Sequence, residues 1–269
     1  MLRRPIDRGS WRAREECRHG KGRRVTLTET QLRECAARSA TRMDLWVSLL
    51  NAAGARDVAE IGVYRGDYAA HLLRGCPGIS RYFMVDPWRH LDDWNKPANK
   101  ADDVFERFFR EAMDRTSPHA ERRVVLRGKT SEVIDQIPDD SLDFAYVDGD
   151  HTLRGITIDL VNVYPKIRKG GWIGGDDFCR SIWQHEEFYE PTLVFPFAVY
   201  FAEAVAERIY GLPHNQFLLE KGEAGGYEFV DLTGAYVETD LRTQLDGRGD
   251  KPADRPVSLR ARVRRRLQI

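Results

Sequence analysis

Two short acidic segments, residues 147–151 and 174–177, carry the side chains of this sequence that are best suited to chemistry. Each follows an apolar run with the character of a buried strand, and a helix-length segment separates the two. The strands should therefore run parallel, and neighbouring strands lie about 4.8 Å apart. Three carboxylates brought that close repel one another unless a cation or a proton lies between them. The spacing predicts a functional site formed by Asp148, His151, Asp176 and Asp177.

Short apolar runs alternate with amphipathic segments from about residue 56 to residue 231, which is typical of βαβ units on a parallel sheet. Seven strands are predicted, at residues 57–63, 81–85, 123–126, 142–147, 171–175, 216–219 and 227–231. The last two are predicted to form an antiparallel hairpin across the glycine-containing stretch 221–226. The predicted fold class is therefore α/β, a Rossmann-like doubly wound sheet that is mostly parallel, with a C-terminal antiparallel hairpin and helices on both faces.

Helical periodicity fills the intervals between the predicted strands. One apolar stripe covers residues 156–167, another falls within residues 102–113, and a third runs through residues 197–209. Before the first strand, residues 28–50 are predicted to form one or two helices that begin at a capping box on Thr28. These helices would cover the sheet and leave the carboxyl ends of its strands accessible.

The first predicted strand ends in a glycine-containing turn, residues 60–67, and a helix follows. Glycines at such a turn let a ligand approach the backbone closely, and open α/β sheets bind nucleoside ligands at the carboxyl ends of their strands. The turn lacks the G-x-G-x-x-G spacing of dinucleotide folds. Glu60 suits a cationic ligand better than a pyrophosphate, which favours S-adenosylmethionine with its amino and sulfonium charges. Asp86, at the end of the second strand, could accept two hydrogen bonds from a ribose.

Composition excludes several classes of partner. The chain of 269 residues has 42 basic (Lys and Arg) and 42 acidic residues, so no global charge indicates a nucleic acid or a membrane. No apolar run approaches the ~20 residues that a membrane span needs. The four cysteines are scattered without metal-ligand spacing, which favours reduced thiols in a cytoplasmic protein. A basic N-terminal extension (1–27), expected to be flexible, precedes the predicted domain (28–235), and a polar, arginine-rich tail (236–269) follows it.

Four motifs, at residues 60–66, 86–88, 146–151 and 170–177, resemble those of class I S-adenosylmethionine-dependent methyltransferases. The resemblance covers residues 56–219 and is closest to the branch that contains macrocin O-methyltransferase and related sugar and antibiotic O-methyltransferases. It implies S-adenosylmethionine as the cofactor. The residues expected to hold that cofactor are Glu60, Gly62, Gly66, Asp86, Ser131 and Asp148.

The same resemblance implies a magnesium ion bound by Asp148, Asp176 and Asp177, with His151 as the general base. Methyl transfer from a sulfonium to a hydroxyl requires removal of the hydroxyl proton, and an imidazole with a pKa of about 6.5 is too weak to remove it alone. A divalent cation makes a bound hydroxyl more acidic, and Mg²⁺ takes oxygen ligands while keeping positions for substrate. The predicted activity is therefore magnesium-assisted O-methylation.

The predicted acceptor is a hydroxyl of a sugar, a glycoside or another small polar natural product. The long irregular stretches 87–100 and 178–191 are expected to bind it. Neither a membrane nor a nucleic acid is an expected partner, and a homo-oligomer is left open. Two alternative functions also stay open. One is an NAD(P)-dependent oxidoreductase on a Rossmann fold, which the missing glycine motif disfavours; the other is a non-catalytic binding protein that retains the methyltransferase fold.

Overall fold

A computed structural model of the protein describes residues 27–186, 188–222 and 225–236. The predicted basic extension (1–27) and the predicted arginine-rich tail (236–269) lie outside the described residues, apart from Leu27 and Tyr236. The boundaries of the predicted domain between them stay a prediction. No helix within the described residues is both long enough and apolar enough to cross a membrane.

A mixed sheet of eight strands forms the centre of the described structure. Its strands are β1 (Asp57–Ile61), β2 (Arg81–Asp86), β3 (Arg123–Arg127), β4 (Leu142–Val147), β5 (Ile167–Gly175), β6 (Arg208–Leu212), β7 (Gln216–Glu220) and β8 (Glu228–Asp231). They lie in the order β3-β2-β1-β4-β5-β7-β6-β8. Strands β1 to β5 run parallel, and β7 is antiparallel to both β5 and β6. The predicted fold class is confirmed.

Helices cover both faces of this sheet. In the described residues they are α1 (Glu29–Arg38), α2 (Arg42–Ala53), α3 (Asp67–Gly75), α4 (Asp102–Arg115), α5 (Thr130–Val133), α6 (Leu153–Val163) and α7 (Val194–Ala204). The first four contribute to the apolar core on one face, and the last three contribute to the core on the other face. The capping box predicted at Thr28 is present, and a second one joins Thr41 to Asp44 at the start of α2.

The predicted composition of the C-terminal hairpin was wrong. The hairpin joins β6 to β7, whereas β8 pairs with β6 in parallel and makes no hairpin with β7. The apolar stripe at 197–209 predicted a helix through Ile209, but α7 ends at Ala204 and Ile209 belongs to β6. Ala206 explains the break, because its backbone has the left-handed φ of 57°, which a helix cannot continue through.

Helix α2 is held against β5 by close packing at a glycine. Trp46 of α2 is fully buried, and a Cβ added at Gly174 of β5 would lie 2.1 Å from its ring. The missing side chain at Gly174 therefore lets the indole lie directly on the sheet. This contact fixes the start of α2 relative to the carboxyl ends of β4 and β5.

We expect Gly174→Ala to destabilise the protein by about 1–3 kcal/mol, because overpacking forces the indole or the strand to move. The measurement is the free energy of unfolding in urea. Gly225→Ala is the matched control, since no described atom lies within 4 Å of a Cβ at that position, and it should change the stability little. Equal effects of the two substitutions would contradict the packing account.

Candidate active site

The carboxyl ends of β4 and β5 bring the two acidic segments together. Val147 and Gly175 are partners in the β4–β5 register, and the amide of Asp176 donates to the carbonyl of Val147 at 3.1 Å. Asp148 in turn donates its amide to the carbonyl of Ile61 in β1 at 2.8 Å. The structure therefore places Asp148, Asp176 and the adjoining Asp177 side by side, next to the turn that follows β1.

Two cationic side chains lie between the three carboxylates. His151 Nδ1 is 2.5 Å from Asp177 Oδ2, and its Nε2 is 3.4 Å from Asp148 Oδ1. The guanidinium of Arg42 is 3.1 Å from Asp148 Oδ2 and also pairs with Asp176. The positive charges of Arg42 and His151 therefore offset the repulsion among the three aspartates.

Arg42 was not predicted from the sequence as a residue of the site. It lies 106 residues before Asp148 along the chain, at the first position of α2, and no acidic or glycine motif surrounds it. The only local signal is the Thr41–Asp44 capping box, which marks a helix start and says nothing about where the arginine points. Arg42 therefore enters the site through tertiary packing alone.

Gln216 of β7 was also not predicted from the sequence, and it holds Asp176 through a hydrogen bond. Its Nε2 donates to Asp176 Oδ1 at 2.5 Å. Its Oε1 accepts from Trp46 Nε1 and from the Tyr146 hydroxyl, both at 2.8 Å. Gln216 is fully buried, so this network fixes the orientation of Asp176.

The surroundings of His151 change its protonation. Burial alone lowers the pKa of His151, but its ion pairs with Asp148 and Asp177 outweigh burial and raise that pKa to about 10. The pKa of Asp177 is lowered, because His151 outweighs the opposing effect of burial. His151 Nε2 is buried, and within the described residues it makes no well-formed hydrogen bond; at 3.4 Å its contact with Asp148 is ionic.

The glycines of the β1 turn accommodate the chain itself. Gly62 has a left-handed φ of 89°, and a Cβ there would lie 2.1 Å from the carbonyl oxygen of Asp148. Gly66 precedes α3 with φ 76°, and a Cβ there would lie 2.7 Å from Ala112 of α4. At both positions glycine permits close packing of a neighbouring segment. Gly62 thereby brings the β1 turn into contact with the acidic site.

Glu60 and Asp86 lie at the same edge, and both are buried. Glu60 accepts a hydrogen bond from the Tyr82 hydroxyl at 2.9 Å, and burial raises its pKa well above the ordinary value. Asp86 Oδ2 accepts from the amides of Val63 and Tyr64 at 2.9 and 2.8 Å. Asp86 thus shapes the glycine turn, and its predicted contact with a ribose stays a prediction.

The segment after β3 adjoins Asp86, because the amide of Gly128 donates to the Asp86 carbonyl at 3.0 Å. Ser131, predicted to lie near the cofactor, is exposed on α5. Thr130 of this segment is buried, and its hydroxyl donates to Asp159 Oδ1 of α6 at 2.5 Å. Burial raises the pKa of Asp159 to about 7.

Two of the long loops are joined beside the site. Lys96 donates to the carbonyls of Glu190 and Pro191 at 2.8 and 3.0 Å and to Thr192 Oγ1 at 3.2 Å. Gln184 of the second loop reaches Asp177 at 3.1 Å when its amide nitrogen faces the carboxylate. The stretches predicted as binding loops therefore adjoin the acidic site and are linked to each other.

The predicted magnesium ion would need the three aspartates as its ligands. Three carboxylates supply the oxygen ligands that Mg²⁺ prefers, but Arg42 and His151 lie between them. Within the described residues, no group of three or more His, Cys, Asp or Glu side chains is arranged to hold a metal ion. In this arrangement the residues do not fit a magnesium ion.

Part of the chain matches a known protein family. Residues 59–178 match a family model described as a methyltransferase domain. The fold is similar to that of a candidate caffeoyl-CoA O-methyltransferase from Staphylococcus aureus, with a TM-score of 0.52, 11% identity, and coverage of 79% of this chain and 98% of that one. A search of curated proteins gave no match.

Two further solved structures are similar at lower scores. One is the O-methyltransferase TomG from Streptomyces achromogenes, involved in tomaymycin synthesis and determined with S-adenosylmethionine (TM-score 0.48, 16% identity, 73% of this chain and 92% of that one). The other is the O-methyltransferase NovP (TM-score 0.47, 17% identity, 72% and 79%). The matched methyltransferase domain and the fold support the predicted class, an S-adenosylmethionine-dependent methyltransferase. The predicted class is confirmed.

The ion pairs of His151 predict a specific pH dependence of stability. The folded pKa of about 10 lies above the unfolded value of about 6.5. Protonated His151 therefore stabilises the fold fully below about pH 6.5, and this contribution is lost as the pH rises toward 10. The free energy of unfolding in urea should show this as a stability advantage over His151→Gln that shrinks, by a few kcal/mol in order of magnitude, from about pH 6 to about pH 10. An advantage independent of pH would contradict the assigned ion pairs.

Proposed function

We propose that this protein transfers the methyl group of S-adenosylmethionine to a hydroxyl of a small polar metabolite, such as a sugar, a glycoside or a polar natural product. The observation that carries the proposal is the position of His151, which lies between Asp148 and Asp177 beside the Gly62 turn. An imidazole at that place can take the proton of the acceptor hydroxyl as the oxygen–methyl bond forms and the sulfur–methyl bond breaks, because the acceptor oxygen gains positive charge and becomes far more acidic than a free hydroxyl.

The cofactor is proposed to bind across the carboxyl ends of β1, β2 and β4, where open α/β sheets hold nucleoside ligands. When bound, S-adenosylmethionine supplies an electrophilic methyl group on a sulfonium cation. Asp148 and Glu60 border the turn, and three aspartates against two cationic side chains leave the site with a net negative charge that suits such a ligand. Gly66 and Asp86 would hold the turn in shape, with Ser131 toward the adenine.

His151 must lose a proton before it acts as a base, because a pKa of about 10 keeps the imidazole protonated at neutral pH. The sulfonium cation of bound S-adenosylmethionine would lower the pKa of His151, since a like charge nearby disfavours the protonated imidazole. Asp177 holds Nδ1 at 2.5 Å, which leaves the buried Nε2 as the atom to receive the acceptor's proton. Asp148 and Asp177 would then stabilise the imidazolium that forms.

The acceptor is proposed to bind between the acidic site and the linked loops 87–100 and 178–191. Lys96 ties the second loop in place, and Gln184 brings an amide to the side of Asp177. Polar groups at fixed positions suit a ligand with several hydroxyls, because each buried polar group needs a hydrogen-bond partner. The proposal of a sugar, a glycoside or another polar acceptor rests on the family resemblance of the sequence.

The magnesium of the sequence-based prediction is not part of the proposed mechanism, because Arg42 pairs with two of the carboxylates that would bind it. The two alternative functions are not favoured once the methyltransferase domain is matched. A cytoplasmic location and a homo-oligomer stay predictions from the sequence.

The test is a methyl-transfer screen with isotopically labelled S-adenosylmethionine against sugars, glycosides and catechols, preceded by calorimetry with S-adenosylmethionine and NAD⁺. We expect binding of the first cofactor only and labelling of at least one acceptor. His151→Gln should lower the rate by about 10²–10⁴-fold, the usual contribution of a general base, while cofactor affinity changes little.

His119→Gln is the matched control, because His119 contacts Arg122 near the start of β3, at the opposite edge of the sheet. It should leave the rate unchanged. Binding of NAD⁺ in place of S-adenosylmethionine would refute the proposed function, and an undiminished rate in His151→Gln would refute the role of the imidazole.

A further inference from the structure

We propose that Arg42 is the built-in cation of the acidic site, and that its guanidinium takes the position that a divalent metal ion would otherwise occupy between Asp148 and Asp176. The protein would then bind its cofactor and hold its three aspartates in place without a divalent ion. This inference deepens the proposed function and rests on it for the role of the site, while the position of Arg42 stands on its own geometry.

The first observation is the bridge that Arg42 makes. Its guanidinium pairs with Asp148, which follows β4, and with Asp176, which follows β5. These are carboxylates from two different strands, brought together by the sheet register. A group that neutralises both must lie between the strand ends, and an arginine fork can pair with two carboxylates at once. The same two carboxylates would be among the oxygen ligands of a divalent ion bound at that place.

The second observation is that both oxygens of Asp176 already have partners. Oδ2 pairs with Arg42, and Oδ1 accepts from Gln216 Nε2 at 2.5 Å. Gln216 cannot turn away at little cost, because Trp46 and Tyr146 both donate to its Oε1. A metal ion bound to Asp176 would displace one of these partners, and a buried polar group left without a hydrogen bond is destabilising.

The third observation is that Arg42 lies at the start of a helix that is fixed in the core. It is the first residue of α2, directly after the Thr41–Asp44 capping box. Two turns of the same helix are buried in the core through residues that include Trp46 and Leu49. The arginine therefore comes from a fixed helix end, and its charge does not depend on metal supply, since a guanidinium stays protonated in proteins.

Arg42 acts as a positioning residue in this account. It holds Asp148 at the place where that carboxylate meets His151 Nε2, and it offsets the repulsion between Asp148 and Asp176 that would otherwise move them apart. Its removal should leave Asp148 and Asp176 without a cation between them, and these two carboxylates should then accept a divalent ion.

The test is a titration of the full-length protein with Mn²⁺, followed by electron paramagnetic resonance of the unbound ion. We expect no Mn²⁺ binding by the wild-type protein at concentrations where Arg42→Ala and Arg42→Gln bind one ion, with an affinity gain of about tenfold or more, because a like charge a few ångströms away has been removed. Mn²⁺ should also raise the melting temperature of both variants and leave that of the wild type unchanged.

Two further proteins sharpen the test. Arg107→Ala removes an arginine that pairs with Asp103 on the exposed side of α4, so it makes the same change in net charge and should not gain Mn²⁺ binding. The double variant Arg42→Ala with Asp176→Asn should lose the Mn²⁺ site that Arg42→Ala creates. Tight binding by the wild type, or no gain in either folded Arg42 variant, would overturn the proposal.

Calorimetry with S-adenosylmethionine in the presence and absence of a chelator separates the two proposals. Equal affinity under both conditions is expected. Failure of the wild type to bind S-adenosylmethionine at all would count against the proposed function. The Mn²⁺ titration would still decide whether Arg42 takes the place of a divalent ion. An affinity that collapses in chelator would count against Arg42 as the resident cation.

Discussion

Electrostatic repulsion among three aspartates at the ends of two neighbouring strands is the constraint on which this structure depends. Parallel pairing of β4 and β5 brings Asp148, Asp176 and Asp177 into one small volume, and carboxylates at such separations are stable only with positive charge between them. Arg42 and His151 provide that charge from the chain itself. Arg42 and His151 thus offset two of the three negative charges, and the site keeps a net negative charge.

Much of the surrounding fold serves to hold these charges in place. Gly174 lets Trp46 lie on the sheet, and the indole and Tyr146 orient Gln216, which in turn fixes Asp176. Gly62 plays a similar part on the other side, because its missing side chain brings the β1 turn against the backbone of Asp148. Buried polar networks of this kind are stable when every member has a partner. The β1 turn and the acidic site are therefore packed together as one unit.

The elements that local patterns specify were predictable from the sequence. The parallel strands follow from apolar runs, and the acidic segments follow from their positions at strand ends. Arg42 and Gln216 could not be found in this way, since they reach the site across 106 and 40 residues and no local pattern marks either. The misassigned hairpin has a different cause, because the apolar spacing through Ile209 continues smoothly across Ala206, where the backbone turns. The magnesium prediction came from the family resemblance. The matching motifs identify the three aspartates as ligands, but they contain no information about an arginine elsewhere in the chain.

The most direct measurement is a crystal structure of the protein grown with S-adenosylhomocysteine and Mn²⁺, with anomalous difference density used to locate the metal. We expect the cofactor product beside the Gly62 turn, the Arg42 guanidinium between Asp148 and Asp176, and no anomalous peak among the three aspartates. A manganese ion bound by those aspartates, with Arg42 displaced toward solvent, would contradict this expectation.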